Sequence, residues 1–319
     1  MSSDTAAIEV RGLVKRFGRV EALRGLDLRV PQGVCFGMLG PNGAGKTTSV
    51  GILTTLLRPD AGEARLLGRD VVADRSRVRR DVGVVFQEST LDPELTPREH
   101  LDLYGRLYRL PERRRRVDAM LDLVGLGDRA DECVRGLSGG LKRRLEIARG
   151  LLHAPRVLFL DEPTLGLDVA ARAAVWRHLR ALRDAGDTTL FLTTHSMEEA
   201  DSLCEEIAII DGGRRVAGGA PEALKAALGG DVVRLWLERA EGAGERLRQA
   251  EGVRAVAVDA GEGGCELRVT VADGPRRLVQ LIEAARPFGV REVAMQRPTL
   301  EHVFLHHTGH AFEPEAEAR

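Results

Sequence analysis

Lysine is scarce in this chain. Of 47 basic residues in 319, only Lys15, Lys46, Lys142 and Lys225 are lysines, so a compact ammonium is a rare choice against an arginine background. Net charge is scarce too: 47 basic against 48 acidic residues leave −1, which provides no overall positive field, and no nucleic acid is expected as a partner. Cys35, Cys133, Cys204 and Cys265 are scattered without CxxC or Cys/His spacing, which excludes a zinc or disulfide framework and suits free thiols in a reducing compartment. No run of about eighteen apolar residues occurs, and the opening "MSSDTAAIEVRG" lacks a cationic segment followed by an apolar one. The chain is therefore expected to stay on the cytoplasmic side without spanning a membrane.

The length suits two domains of about 150 residues each. The segment "IEVRGLVKRFGRVEALRGLDLRV" alternates apolar and polar residues and reads as an antiparallel β-subdomain. A buried strand, "GVCFGMLG", follows and leads through glycines into a helix. Residues from about 96 to 150 are strongly charged with helical spacing, the pattern of a helical subdomain. The run Arg113 to Arg116 stands beside Glu112 and Asp118 there and reads as a solvated helix face. From "RVLFLDEP" on, apolar runs "TTLFLTTHS" and "EIAIIDGGRRV" alternate with helical pattern, implying a parallel sheet flanked by helices. After Gly229-Gly230 the pattern changes to β-α-β-β-α-β, a ferredoxin-like order. The expected division is 1–228 for a first domain, 231–310 for a small α+β domain and 311–319 for a tail.

Lys46 lies in "GPNGAGKTT", which places Gly40, Pro41, Asn42, Gly43, Ala44, Gly45, Lys46, Thr47 and Thr48 between a strand and a helix in the G-x-x-x-x-G-K-[ST] pattern. Backbone N–H groups from Gly43 to Thr47 would cradle a β-phosphate, with the helix dipole adding to the attraction. Lys46 would bridge the β- and γ-phosphates, and the Thr47 hydroxyl would hold Mg2+. A second apolar strand, "VLFLDEP", delivers Asp161 and Glu162 at its C-terminal end, where open α/β sheets bind ligands. Asp161 is the second magnesium candidate. Glu162 is expected on the other side of the strand, by side-chain alternation, where it could serve as general base for an attacking water.

No Asn-Lys-x-Asp segment is present to select guanine, and neither a lid nor an acceptor pocket of a small-molecule kinase is evident. Instead "LSGGLKRRLEIARG" begins a helix at Ser138 with two glycines, a second anion cradle in a chain that already has one. Together these motifs resemble the ATP-binding cassette (ABC) ATPases, whose signature is Leu-Ser-Gly-Gly-Gln; here Leu141 takes the place of the Gln. The resemblance covers about Ile8 to Leu224. It implies that Phe17 stacks on adenine, that Gln87 in "VVFQE" touches the magnesium site, that Asp168 in "TLGLD" lines a dimer seam, and that His195 in "LTTHS" contacts the γ-phosphate. It further implies a homodimer formed on ATP binding, in which Ser138, Gly139 and Gly140 bind ATP held by the other chain.

The ending "QRPTLEHVFLHHTGH" resembles the close of bacterial exporter ATPases of the daunorubicin-resistance type, whose permease is a separate polypeptide. The fold so implied is an α/β P-loop NTPase cassette with antiparallel β and helical subdomains, plus a C-terminal ferredoxin-like domain. The implied function is ATP hydrolysis at the cytoplasmic face of a bacterial membrane, powering efflux of a drug, lipid or polymer. The alternative is a soluble ABC protein acting on ribosomes or DNA, although such proteins usually carry two cassettes or a long coiled-coil insertion. A ligand-sensing role for the C-terminal domain is compatible with export.

Overall fold

The computed structural model describes residues 6–239, 241–261 and 264–312, so the end of the expected tail, from 313 on, lies outside the described residues. The chain divides into two compact units between Gly219 and Ala220, ahead of the boundary expected after 228.

The first unit opens with two long antiparallel strands, β1 (Ala6–Phe17) and β2 (Val20–Pro31), in register at Val10–Leu28 and closing at Phe17–Val20. The chain then enters β3 (Cys35–Leu39), which is buried throughout, and α1 (Lys46–Leu53). Two short strands, β4 (Ala61–Leu66) and β5 (Arg69–Asp70), return to the first sheet and give it the order β2-β1-β4-β5. After α2 (Arg75–Asp81), β6 (Val82–Val85) joins the second sheet.

The helical subdomain follows as α3 (Pro97–Leu107), α4 (Arg113–Leu123) and α5 (Gly139–Leu151). Thr96 and Glu99 form a reciprocal capping box ahead of α3, with Pro97 in the first turn. Leu101, Val117, Leu121, Val134, Leu145 and Ala148 make this subdomain's own core.

The remaining elements are β7 (Val157–Asp161), α6 (Val169–Ala185), β8 (Thr189–Thr194), α7 (Met197–Leu203), β9 (Glu206–Asp211) and β10 (Arg214–Gly219). The second sheet has the order β10-β9-β3-β8-β7-β6. It is parallel from β9 to β6, as expected, but "EIAIIDGGRRV" is a hairpin whose second arm, β10, is an antiparallel edge. Gly212 and Gly213 permit that turn through their positive φ angles of 51° and 79°. Because β3, β6, β7 and β8 run the same way, the segments that follow them all emerge at one edge, and register fixes their heights: Leu39 pairs with Thr194, Thr193 with Asp161, and Leu160 with Val85.

The second unit comprises α8 (Pro221–Ala227), β11 (Asp231–Leu237), α9 (Ala243–Arg248), β12 (Val253–Gly261), β13 (Gly264–Val271), α10 (Gly274–Ala285), β14 (Val290–Gln296) and α11 (Leu300–Thr308). Its antiparallel sheet, β12-β13-β11-β14, is the ferredoxin-like order. Val233, Leu235, Leu247, Leu267, Val269 and Leu281 form a core separate from that of the first unit.

Candidate active site

The loop after β3 is shaped by glycine. A Cβ on Gly40 would collide with the Ile210 carbonyl, and Gly45 holds φ at 102° to start α1. The next residue, Lys46, is 6 % exposed. Its Nζ donates to the carbonyls of Gly40 (2.7 Å) and Pro41 (3.1 Å) and lies 3.3 Å from Glu162 Oε1. That last approach is an ion pair without hydrogen-bond angles, so Glu162 Oε1 is buried with no hydrogen-bond donor among the described residues.

Asp161 ends β7 fully buried, and its Oδ1 accepts from Thr193 Oγ1 and lies 3.5 Å from Thr47 Oγ1. Glu162 leaves the strand altogether: its φ of 48° is left-handed, a conformation a non-glycine residue holds only where the surroundings over-determine it. Strand alternation therefore does not aim its carboxylate, as the sequence suggested; the turn does. Its N–H donates to Thr193 O (3.1 Å) and Thr193 Oγ1 (3.2 Å). Its Oε2 takes His195 Nδ1 at 2.9 Å and the His195 N–H at 3.3 Å. The hydrogen bond that His195 makes to the Glu162 carboxylate raises the imidazole pKa above its ordinary value, partly opposed by burial.

Lys46, Thr47, Asp161, Glu162 and His195 thus form one connected cluster. Gly40 and Pro41 join it through the carbonyls that hold Lys46. Gln87 is exposed in the loop after β6. Phe17 is 48 % exposed at the end of β1, with Lys15 Nζ 5.5 Å from its ring centre. Ser138 is exposed and caps α5 through Leu141 N (3.4 Å), while Asp168 caps α6 through Ala171 N (2.8 Å). Gly139 and Gly140 lie against Leu167 and Ala171, so the start of α5 and the 167–171 segment are neighbours within the chain.

Sequence reasoning misses Thr193, Arg143 and Glu199. Glu199 is buried beneath this edge, accepts from Thr164 Oγ1 (2.7 Å) and Trp176 Nε1 (3.1 Å), and burial raises its pKa. The available signal was spacing: Arg143 follows Gly140 and precedes Ile147 on one helical face, and both neighbours are buried.

The ABC transporter family profile matches residues 23–165. A daunorubicin resistance ATP-binding protein of Streptomyces coeruleorubidus is 46 % identical over 313 residues, covering 96 % of this chain and 97 % of its own. The chain belongs to the ATP-binding proteins of ABC transporters. It is an ATPase, and ATP is its nucleotide. A daunorubicin/doxorubicin resistance ATP-binding protein of Streptomyces peucetius is 43 % identical over 96 % of this chain and 93 % of its own. A Nod factor export ATP-binding protein of Ralstonia nicotianae is 41 % identical, with coverages of 96 % and 94 %. Among solved cassettes, cbiO1 from Clostridium perfringens, part of an ABC transporter complex, superposes with a TM-score of 0.65 at 27 % identity over 70 % of this chain and 91 % of its own. A dimeric post-hydrolysis cassette bound to ADP and Pi gives 0.60 at 27 % identity over 67 % and 98 %.

Proposed function

We propose that this ATPase works as a head-to-tail homodimer at the cytoplasmic face of a bacterial membrane, driving a separate permease that exports a drug, lipid or polymer. Among the described residues no helix is long and apolar enough to cross a membrane. The names of the relatives, concerned with daunorubicin resistance and Nod factor export, support the export reading.

One observation carries the dimer: the cluster around Lys46 is connected within the chain, yet Ser138 is exposed at the start of α5 and its hydroxyl caps that helix alone among the described residues. Packed head to tail, Ser138, Gly139 and Gly140 would meet the γ-phosphate of ATP held by the other chain, with Asp168 on the seam. Phe17 would stack on adenine, and the P-loop from Gly40 to Thr48 would cradle the phosphates.

On ATP binding Lys46 turns from Glu162 towards the β- and γ-phosphates, freeing Oε1. Water attacks the γ-phosphorus, its proton passes to Glu162 Oε1, and the bond to the β-phosphate oxygen breaks. His195 holds Glu162 Oε2, which fixes the direction of Oε1. The Thr47 hydroxyl, the Asp161 carboxylate and the Gln87 amide are oxygen donors suited to Mg2+. When bound, Mg2+ neutralises charge on the β- and γ-phosphates. The second unit is an accessory domain for assembly or regulation, set apart by its own core.

The test mixes Ser138→Arg with Lys46→Ala chains. In a head-to-tail dimer one composite site carries both lesions and the other carries neither, so mixing restores turnover that each variant lacks alone. Full activity of Ser138→Arg by itself would reduce that segment to a helix cap.

A further inference from the structure

Arg143 lies in the helix that Ser138 caps, yet it is 7 % exposed. Its guanidinium is committed to main-chain oxygens of two other segments. Nε donates to Pro163 O (2.8 Å), and Nη2 to Asp161 O (2.8 Å) and Glu162 O (3.2 Å). Nη1 donates to Phe86 O (2.6 Å) and to Glu146 Oε2 (2.9 Å). Glu146 Oε1 in turn accepts from Thr90 N (3.3 Å), and Arg149 donates to Thr90 O (3.1 Å) and Thr90 Oγ1. One cation on α5 therefore grips three consecutive residues at the end of β7 together with the loop that carries Gln87.

We propose that Arg143 is the positioning residue that couples the signature helix to the hydrolytic carboxylate of its own chain. The proposal rests on Glu162 being the general base, as read above. Glu162 holds a left-handed backbone between two anchors, Thr193 on its N–H and Arg143 on its carbonyl. A phosphate landing at Ser138–Gly140 displaces α5, and Arg143 carries that displacement to the 161–163 backbone and to the Gln87 loop. Engagement of the second chain and aim of the base are then one event. A planar fork with five donors matches the five acceptors around Arg143, more than the three donors of a lysine ammonium can serve.

The test uses the full chain with Arg143→Lys and Arg143→Met, each alone and combined with Glu162→Gln, followed by steady-state and single-turnover hydrolysis of labelled ATP. Both Arg143 variants should lose about 100-fold in kcat, the scale of a misplaced reacting group, while the KM for ATP stays within about threefold. In the Glu162→Gln background the same changes should cost almost nothing further, because the group being aimed is gone. Equal losses in both backgrounds would overturn the proposal, as would a raised KM with unchanged kcat. If the Arg143 variants do not fold, as judged by thermal melting, Glu146→Gln serves instead. It removes the charge partner of the guanidinium and should lower kcat about tenfold, again without effect in Glu162→Gln, whereas an unchanged kcat would overturn the coupling. Full turnover in Glu162→Gln alone would remove the reading beneath the proposal, and is told apart because Arg143 is then untouched.

Discussion

Around Lys46, three buried charged side chains answer one another within the chain, whereas around Ser138 and Asp168 the side chains cap their own helices and otherwise face outward. Burying Lys46, Asp161 and Glu162 costs desolvation that is recovered only because carbonyls, hydroxyls and the ion pair surround them. The exposed side bears no such cost and is apolar besides: Val169, beside Asp168, is 80 % exposed. Glycine does not distinguish the two sides. In the P-loop a Cβ on Gly40 would collide with the Ile210 carbonyl and one on Gly45 with the Ala22 carbonyl. Gly140 has a packing reason as well, since a Cβ there would lie 2.8 Å from the Ala171 Cβ. Gly140 is thus required by this chain's own packing with or without a phosphate, whereas a Cβ on Gly139 would meet only the end of the Leu167 side chain at 3.3 Å, which leaves Ser138 and Gly139 as the residues that point to a shared site.

The largest expected effect breaks the buried half. Lys46→Ala removes the cation that faces the β- and γ-phosphates and also strips Glu162 of its buried partner; phosphate release should fall by about 10³-fold or more. Normal turnover would mean that the cluster is structural.

Next in size is the separation of the two carboxylates. Glu162→Gln keeps the shape and the His195 contact but cannot take the proton, so ATP should bind at near-normal affinity, the dimer should accumulate, and turnover should drop about 10²- to 10³-fold. Asp161→Asn should instead weaken binding when magnesium is present and leave magnesium-free binding nearly unchanged. Equal behaviour in a nucleotide titration would show that the two roles have been divided wrongly.

A smaller effect is expected from removing the second unit. A chain ending at Gly219 retains every nucleotide motif and a core of its own. It should bind ATP within about threefold of the full chain, since contributions from parts that share no partners add independently. An insoluble product that binds no nucleotide would mean that the two units depend on one another to fold.

What could be read from the sequence follows the same division. The P-loop, Asp161 and the order of strands and helices were legible because each is set locally, by a glycine turn, an apolar run or a cap. The β10 edge and the turn at Glu162 were not, because pairing direction and a positive φ in a non-glycine residue are imposed by neighbours far along the chain. Arg143 was least visible: in "LKRRLEIAR" its letter is the same as that of Arg144, and only helical phase distinguishes the arginine that reaches Asp161 O from the one that reaches Val124 O.

The smallest expected effect concerns His195, the most exposed ionisable member of the cluster, with 29 % of its side chain accessible. Its hydrogen bond to Glu162 raises the imidazole pKa above the usual histidine value. A group whose pKa is higher folded than unfolded contributes stability that is fully present below the unfolded value and is lost as pH rises through the folded one. In nucleotide-free protein, the melting temperature should therefore exceed that of His195→Gln most at pH values below the ordinary histidine pKa. The advantage should shrink as pH rises through the raised value, with a total change of about 2 °C, as suits one partly screened pair in a chain this size. A difference that stays constant with pH would mean that the pair does not titrate in this range. A difference that grows with pH would reverse the sign and imply that burial, rather than Glu162, governs the ring.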